Sequence, residues 1–218
     1  MLTSKADTSS TLICFNVNKS CLLRCGPRYN KPCVPILLNG NLLHEWSTDK
    51  YLGVTFESGL KLKVSLAAKR MKFFRAFNYI YACVGSTVSP MLLCHLLHTY
   101  CLPILLYGFE AVTISNANRQ TLYVTWKTAL YKIFKLNDEV NLLVQYCLGI
   151  LPISYVFDLC RLCFLFRQST HIISVHNIFY DVFGFSEFNE LCSVYSVGKL
   201  SHGHFKACVW YAFYVCIA

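Results

Sequence analysis

The 218-residue chain is short of acidic residues and of several motifs that mark common enzyme sites. It has 11 Asp and Glu against 20 Lys and Arg, which gives a formal net charge of +9. Asp138-Glu139 is the one adjacent acidic pair, and Asp-Asp does not occur in the sequence. Gly-x-x-x-x-Gly-Lys-Ser/Thr and Gly-x-Ser-x-Gly are also absent, which argues against a P-loop and against a hydrolase nucleophile turn. The basic surplus instead favours affinity for polyanions.

Charged residues are missing from the whole stretch 76–109, which raises the question of a membrane span. A span takes about 20 consecutive apolar residues. The stretch is interrupted by a Gly-Ser-Thr turn, after which Ser89 as N-cap and Pro90 in the first turn predict the start of a new helix. Two buried helices therefore fit better than one span.

Thirteen cysteines, an odd number, lie mostly inside apolar runs, and the first ten residues form no apolar signal core. This usage predicts reduced, buried thiols in a cytoplasmic or nuclear protein. Cys160-x-x-Cys163 lacks the second ligand pair of a zinc site, and the cysteines and histidines of 94–101 fall inside an apolar helix. Packed core thiols are the favoured interpretation, a metal site is the alternative, and no cofactor is expected.

Strand signals dominate the first 58 residues. Residues 19–26 form a short apolar run that ends at Gly26-Pro27, and Asn39-Gly40 lies between two leucine pairs. Asn-Gly between apolar runs is the strongest short-range hairpin signal, because both residues tolerate positive φ. Residues 48–56, Thr-Asp-Lys-Tyr-Leu-Gly-Val-Thr-Phe, are read as one more strand beside this hairpin. The result is a small antiparallel sheet.

After Gly59 the apolar period becomes helical. On a helical wheel from Lys61 to Val84, Phe73 and Phe77 mark the apolar stripe, and Arg70 points toward it. On the same wheel, three further cations are expected on the opposite, outer side: Lys69, Lys72 and Arg75.

Further helices are predicted from Ser89 to about Leu102, around Leu122–Phe134, up to Gly149, and from Pro152 to Arg167. The fold class is α+β, with a small antiparallel sheet followed by a helical bundle. Three regions are predicted: strands in 1–58, helices in 59–136, and a C-terminal helical region in 137–218.

Several segments, in order, resemble the reverse transcriptases of non-LTR (LINE-type) retrotransposons. They are CFNVNKSCLLRCG at 14–26, KYLGVTF at 50–56, KFFRAFNYI at 72–80, YCLPILLYGFEAV at 100–112, WKTALYKIF at 126–134 and LPISYVFDLCRLCFL at 151–165. The resemblance covers roughly residues 12–170. It implies the end of the palm, the primer grip and a thumb-like helical bundle of an RNA-directed DNA polymerase.

The resemblance carries a few site residues over. Lys19 matches the lysine that follows the catalytic hairpin, near the incoming nucleotide. Tyr51, Leu52 and Gly53 match the primer grip. A last set lies on the first thumb helix, where it would face an RNA/DNA duplex without sequence preference: Lys69, Lys72 and Arg75. For the primer-grip residues the alternative is an ordinary strand with a close-packed glycine. For the three cations of the helix it is an ordinary solvated helix face.

One departure from the family bears on activity. The family's polymerase holds two Mg²⁺ ions on a Tyr/Phe-x-Asp-Asp turn and one further Asp. Because Asp-Asp is absent, the chain is expected not to polymerise DNA and to lack the upstream portion of the polymerase.

Two rival interpretations remain open. A small polytopic membrane protein would use 76–109 and 140–166 as spans, but Arg161 and Arg167 in or beside the second span argue against it. The second rival interpretation is an inert pseudogene product.

Overall fold

A computed structural model describes residues 15–85, 87–112, 114–170, 180–198 and 202–217. The N-terminal ten residues, where no signal core is predicted, lie outside this range. The chain divides into two compact units: residues 1–65, here the strand unit, and residues 66–218, here the helical unit. Small antiparallel sheets precede a set of helices, which confirms the predicted α+β class. The three-part division stays a prediction.

The Asn39-Gly40 hairpin is present as predicted. Strand β1 (Leu37–Leu38) pairs with β2 (Asn41–Leu42) in antiparallel register, Leu37 opposite Leu42. Asn39 has φ 52° and Gly40 has φ 79°, so both turn residues adopt the left-handed conformation that Asn and Gly tolerate. These two strands form a sheet of their own.

The segment 48–56 is a hairpin, so its prediction as a single strand beside β1–β2 was wrong. Strands β3 (Thr48–Tyr51) and β4 (Val54–Glu57) pair antiparallel around a two-residue turn, with Tyr51 opposite Val54. The turn residues Leu52 and Gly53 have φ 46° and 82°. Gly53 accepts a positive φ at no steric cost, so the chain can reverse direction at this point, where the sequence predicted a continuous strand.

A third strand joins this sheet where a helix was predicted. Strand β5 (Lys63–Ser65) pairs with β4, and the sheet order is β3-β4-β5. Residues 60–64 alternate Leu-Lys-Leu-Lys-Val, which is the period of a strand and not of a helix. The stretch 19–26 forms no extended strand. It makes two isolated parallel bridges, Leu22 with Glu45 and Cys25 with Gly59.

The helical unit begins with α1 (Ala67–Val84), followed by α2 (Pro90–Leu96) and α3 (Leu102–Leu106). A π-helical turn, Leu97–Cys101, connects α2 to α3. Pro103 explains this turn, because proline has no N–H to donate and its ring crowds the preceding turn. The predicted helix from Ser89 therefore continues, interrupted, to Leu106.

Three of the remaining five helices follow the sequence signals. They are α4 (Asn116–Phe134), α5 (Asp138–Cys147), α6 (Ile153–Ser169), α7 (Phe185–Val194) and α8 (His202–Ile217). The predicted caps are in place: the Ser89 side chain accepts a hydrogen bond from the Leu92 N–H, Gly149 adopts φ 65° after α5, and Pro152 precedes α6. Helices α7 and α8 are the two whose boundaries the sequence did not suggest.

The core of the helical unit is built from apolar side chains of almost every helix. α1 packs against α3, α4 packs against α2 and α6, and α6 packs against α7 and α8. The largest fully buried side chains include Phe73, Phe77, Phe109, Phe205 and Phe213. These contacts fix which face of each helix remains outside, and so they position the candidate site.

Candidate nucleic-acid interface

The exposed side of α1 carries two of the three predicted cations. Lys72 and Arg75 are both exposed, and Asn78 and Tyr79 extend the same side toward the C-terminal end of the helix. Spacings of three, four and seven residues put Lys72, Arg75 and Tyr79 on one stripe. Phe73 and Phe77, which are 0% and 1% exposed, hold the opposite side in the core. We call Lys72, Arg75, Asn78 and Tyr79 the α1 outer face.

Lys69 does not belong to this face, and its predicted position on the outer side was wrong. It is 5% exposed, and its Nζ donates a hydrogen bond to the Tyr107 carbonyl and lies 4.2 Å from the centre of the Phe109 ring. Lys69 precedes Phe73 by four residues and Phe77 by eight, so an α-helix places all three on one side. The wheel position was misassigned, since a lysine is normally expected outside.

Burial changes the acid–base behaviour of Lys69. Desolvation lowers the pKa of its ammonium to about 8, the carboxylate of Glu110 opposes that lowering, and the positive charge of Lys72 adds to it. The Tyr107 carbonyl lies at the end of α3, where an ammonium group interacts favourably with the helix dipole. Lys69 is therefore a structural tie between α1 and α3.

Arg70 also points inward, as predicted. Its Nε donates a hydrogen bond to the Thr125 hydroxyl of α4 over 3.1 Å, and the side chain is half-buried. Thr125 in turn donates to the Thr121 carbonyl over 2.7 Å. Arg70 thus links α1 to α4 and is not available on the outer face.

A cation that the sequence did not place in the interface comes from α4. The Lys132 Nζ donates a hydrogen bond to the Asn78 Oδ1 over 3.0 Å and lies 4.6 Å from the centre of the Tyr81 ring. It therefore sits at the edge of the α1 outer face, 54 residues along the chain from Asn78. Nothing local in the sequence signals this contact, because it depends on how α4 packs against α1.

The strand-unit residues carried over from the resemblance are all on the surface. Lys19 ends a short 3₁₀ helix, Val17–Lys19, and is exposed. Tyr51 and Leu52 are 65% and 73% exposed at the tip of the β3–β4 hairpin, beside Gly53.

Lys19 and the hairpin meet at one open groove, though not through the predicted residues. Lys19 lines it together with Trp46 and with the paired strand residues Lys50 and Thr55 of the hairpin. Tyr51, Leu52 and Gly53 lie outside this lining. The structure therefore brings Lys19 to the strands of the hairpin and not to its tip.

The acidic groups in the described residues do not fit a pair of Mg²⁺ ions. Asp158 accepts hydrogen bonds from Arg119 and from the Tyr195 hydroxyl, each over 2.7 Å. Glu187 forms a two-point ion pair with Arg161, whose side chain is 4% exposed. No group of three or more His, Cys, Asp or Glu side chains within the described part of the chain could hold a metal ion. The predicted absence of a metal stays a prediction.

The cysteines near the histidines behave as core side chains. Cys94 and Cys101 are both 0% exposed, and burial raises the pKa of each thiol to about 11. The His98 ring meets the Trp126 ring edge-on at 6.4 Å between centres, and burial lowers the pKa of its imidazole. Burial raises the pKa of Cys160 and Cys163 as well. Thiols of this kind are poor nucleophiles and poor metal ligands at neutral pH.

No helix among the described residues is long and apolar enough to cross a membrane. Arg161, which lies inside one of the candidate spans, is enclosed by protein groups: besides Glu187, its Nη1 donates to the Glu110 carbonyl over 2.7 Å.

Comparison of the chain with protein-family models gave no match, and neither the curated proteins nor the solved structures contain a chain that matches it.

Proposed function

We propose that the chain is a C-terminal segment of the reverse-transcriptase type that binds the phosphate backbone of nucleic acids without sequence preference and does not polymerise. The observation that carries the proposal is the α1 outer face. Lys72 and Arg75 are exposed there, Lys132 adds a third cation at its edge, and neither α1 nor α4 contains an acidic residue. Three cations on two helices that contain no acidic residue form a site that suits phosphate groups.

The order of the motifs supports the family and the compartment proposed here. The segments at 14–26, 50–56, 72–80, 100–112, 126–134 and 151–165 follow the order of a LINE-type reverse transcriptase. A cytoplasmic or nuclear location agrees with this origin and with a cysteine-rich chain that forms no disulfide among the cysteines that the structure describes. Primer extension with Mg²⁺ is not expected, because the sequence has no Asp-Asp to hold the metal ions.

The salt dependence of binding tests the proposal. Three phosphate contacts predict a log–log salt slope of about −2.7 on a B-form duplex, at about −0.9 per contact. Replacing Lys72 and Arg75 together with Ala should reduce the slope to about −0.9, and fluorescence anisotropy with a labelled duplex over a salt series measures it. Both side chains point away from the core, so the fold should be unaffected.

A charge-matched control separates this face from net charge. Arg167 and Lys206 are exposed cations of the same unit on other helices, α6 and α8. Their double Ala variant should keep a slope close to that of the unmodified chain. Equal losses from both double variants would mean that net charge alone drives binding. An unmodified chain that shows no salt-dependent binding would favour the inert product instead.

A further inference from the structure

The α1 outer face contains an exposed aromatic ring beside its cations. Tyr79 is 73% exposed and lies one helical turn beyond Arg75 and two turns beyond Lys72. At 1.5 Å of rise per residue, the ring follows the two charges by about 6 and 10 Å along the helix. No aromatic or cation contact holds this ring among the described residues, whereas Phe73, Phe77 and Tyr81 of the same helix pack against one another.

The neighbours of Tyr79 on the outer stripe leave room for a planar ligand. Ala82 and Cys83, one turn further along, are both exposed and small. Asn78, beside Tyr79, is exposed and accepts the hydrogen bond from Lys132 through its Oδ1. The ring is therefore flanked by a cationic side and by a flat, small-residue side.

Charge alone gives an aromatic ring no role on this face. Phosphates attract Lys72 and Arg75 in any nucleic acid, and the higher charge density of a duplex makes it the better electrostatic ligand. In a duplex, however, the bases are stacked on each other and offer no face to a tyrosine. In a single strand the base faces are free, and an aromatic side chain beside cations is the arrangement that binds them.

We infer that the α1 outer face binds single-stranded nucleic acid, with Lys72, Arg75 and Lys132 on the phosphates and Tyr79 stacked on an unpaired base. This inference rests on the proposed backbone binding and specifies its ligand. Recognition is independent of base identity, since every base presents a π-face. Tyr79 provides the preference for single-stranded over double-stranded nucleic acid, and the cations make binding depend on salt concentration.

The test compares one labelled oligothymidine of about 15 nucleotides with a blunt duplex of the same length, using the full chain and fluorescence anisotropy. The unmodified chain should bind the single strand at least as tightly as the duplex, against the order that charge density predicts. Tyr79→Ala should weaken single-strand binding roughly 5-fold or more, the loss typical of one stacked base. Duplex binding should change less than about twofold, which is clearly smaller than the loss of one stacked base.

Two controls define the role of the ring. Tyr79→Phe keeps the aromatic face and should stay within about twofold of the unmodified chain, since stacking does not need the hydroxyl. Tyr211→Ala removes a ring that is 69% exposed on α8 and should leave both affinities unchanged. Circular dichroism and the urea midpoint should be the same for all variants, because both tyrosines lie on the surface.

Several results would overturn the inference. Equal losses on both ligands, no loss from Tyr79→Ala, or a loss from Tyr79→Phe as large as from Tyr79→Ala would each exclude stacking as the source of preference. If Lys72→Ala/Arg75→Ala still flattens the salt slope in those cases, the backbone proposal stands and only the single-strand inference fails. If the unmodified chain binds neither ligand in a salt-dependent way, both fail.

Discussion

The strand unit and the helical unit differ sharply in how much apolar surface they bury. In the described residues of the strand unit, Val54 and Val64 are the buried apolar side chains. Ten large apolar side chains there are exposed, including Val34 at 82% and Leu37 at 63%. The helical unit instead buries whole phenylalanines, among them Phe73, Phe109 and Phe205 at 0% exposure.

This difference follows from geometry as much as from composition. A two-stranded and a three-stranded sheet of two to four residues per strand leave most side chains with nothing to pack against. Helices that pack on several neighbours enclose their apolar stripes. Burial should therefore determine stability in the helical unit, and turn conformation should determine it in the strand unit.

The largest expected effect tests burial directly. Phe73→Ala should lower the free energy of unfolding by about 3–5 kcal/mol, because it removes a fully buried ring and leaves a cavity between α1 and its neighbours. Leu37→Ala in the strand unit should change it by no more than about 0.5 kcal/mol, since that side chain is already in water. Urea unfolding of the full chain, followed by far-UV circular dichroism, measures both.

The prediction would be contradicted if Leu37→Ala lowered the free energy of unfolding as much as Phe73→Ala does. Such a result would mean that the exposed apolar side chains of the strand unit are covered in solution, for example by a second copy. Sedimentation of the unmodified chain at several concentrations would then show self-association.

The elements that the sequence predicted correctly are those with local causes. The Asn39-Gly40 turn, the Ser89 cap and the Gly149 stop each depend on the conformational preference of one or two residues. The segment around Leu52-Gly53 escaped prediction because leucine rarely adopts positive φ, so Gly53 was the one signal of the turn. The π turn before Pro103 escaped because proline indicates a disruption without specifying its form.

The second prediction concerns the charge buried in the helical unit. The pKa of the Lys69 ammonium is about 8 in the folded chain and near 10.4 when unfolded. Between these values the unfolded chain binds more protons than the folded chain. The free energy of unfolding should therefore rise as the pH increases from about 8 to about 10.4, and lowering the pH through the same range should reverse the rise. The difference between the two pKa values sets an upper limit of about 3 kcal/mol on that rise, and Lys69→Met should abolish it.

Lys72→Met is the matched control on the same helix. Lys72 is exposed and its charge is the smallest of the three contributions to the pKa of Lys69, so this variant should keep most of the pH dependence of the unmodified chain. Urea midpoints under reducing conditions at pH 7.5 and at pH 10.5, taken as differences between variants, cancel the titration of tyrosines and cysteines. A pH rise that survives Lys69→Met would show that other groups produce it and that Lys69 is better solvated than its burial indicates.

Sequence reasoning recovered only part of the candidate site, for a physical reason. Lys72 and Arg75 follow from the helical period alone. Tyr79 was not predicted, although the same period places it on that stripe, four residues beyond Arg75. Lys69 was misplaced although the period was sufficient, because its spacing to Phe73 and Phe77 puts it on the buried side. Lys132 could not be found, since its contact with Asn78 exists only after α4 packs against α1.

The smallest expected effect lies in the strand unit, where two hairpins with the same two-residue turn differ in one residue. Asn39 occupies the first turn position of β1–β2, and Leu52 occupies it in β3–β4, both at positive φ. A leucine in this conformation costs roughly 1–2 kcal/mol, whereas asparagine adopts it readily. Leu52 is 73% exposed, so replacing it forfeits little packing.

Leu52→Asn should therefore stabilise the β3–β4 hairpin by about 0.5–1 kcal/mol, and Asn39→Leu should destabilise β1–β2 by a similar amount. Hydrogen exchange of the strand amides, measured by mass spectrometry on the full chain, reports each hairpin locally. Protection of β3–β4 should increase in the first variant and that of β1–β2 should decrease in the second. Faster exchange in β3–β4 after Leu52→Asn would show that the Leu52 side chain is held by a contact at the hairpin tip, and turn conformation would then not be what limits the stability of the strand unit.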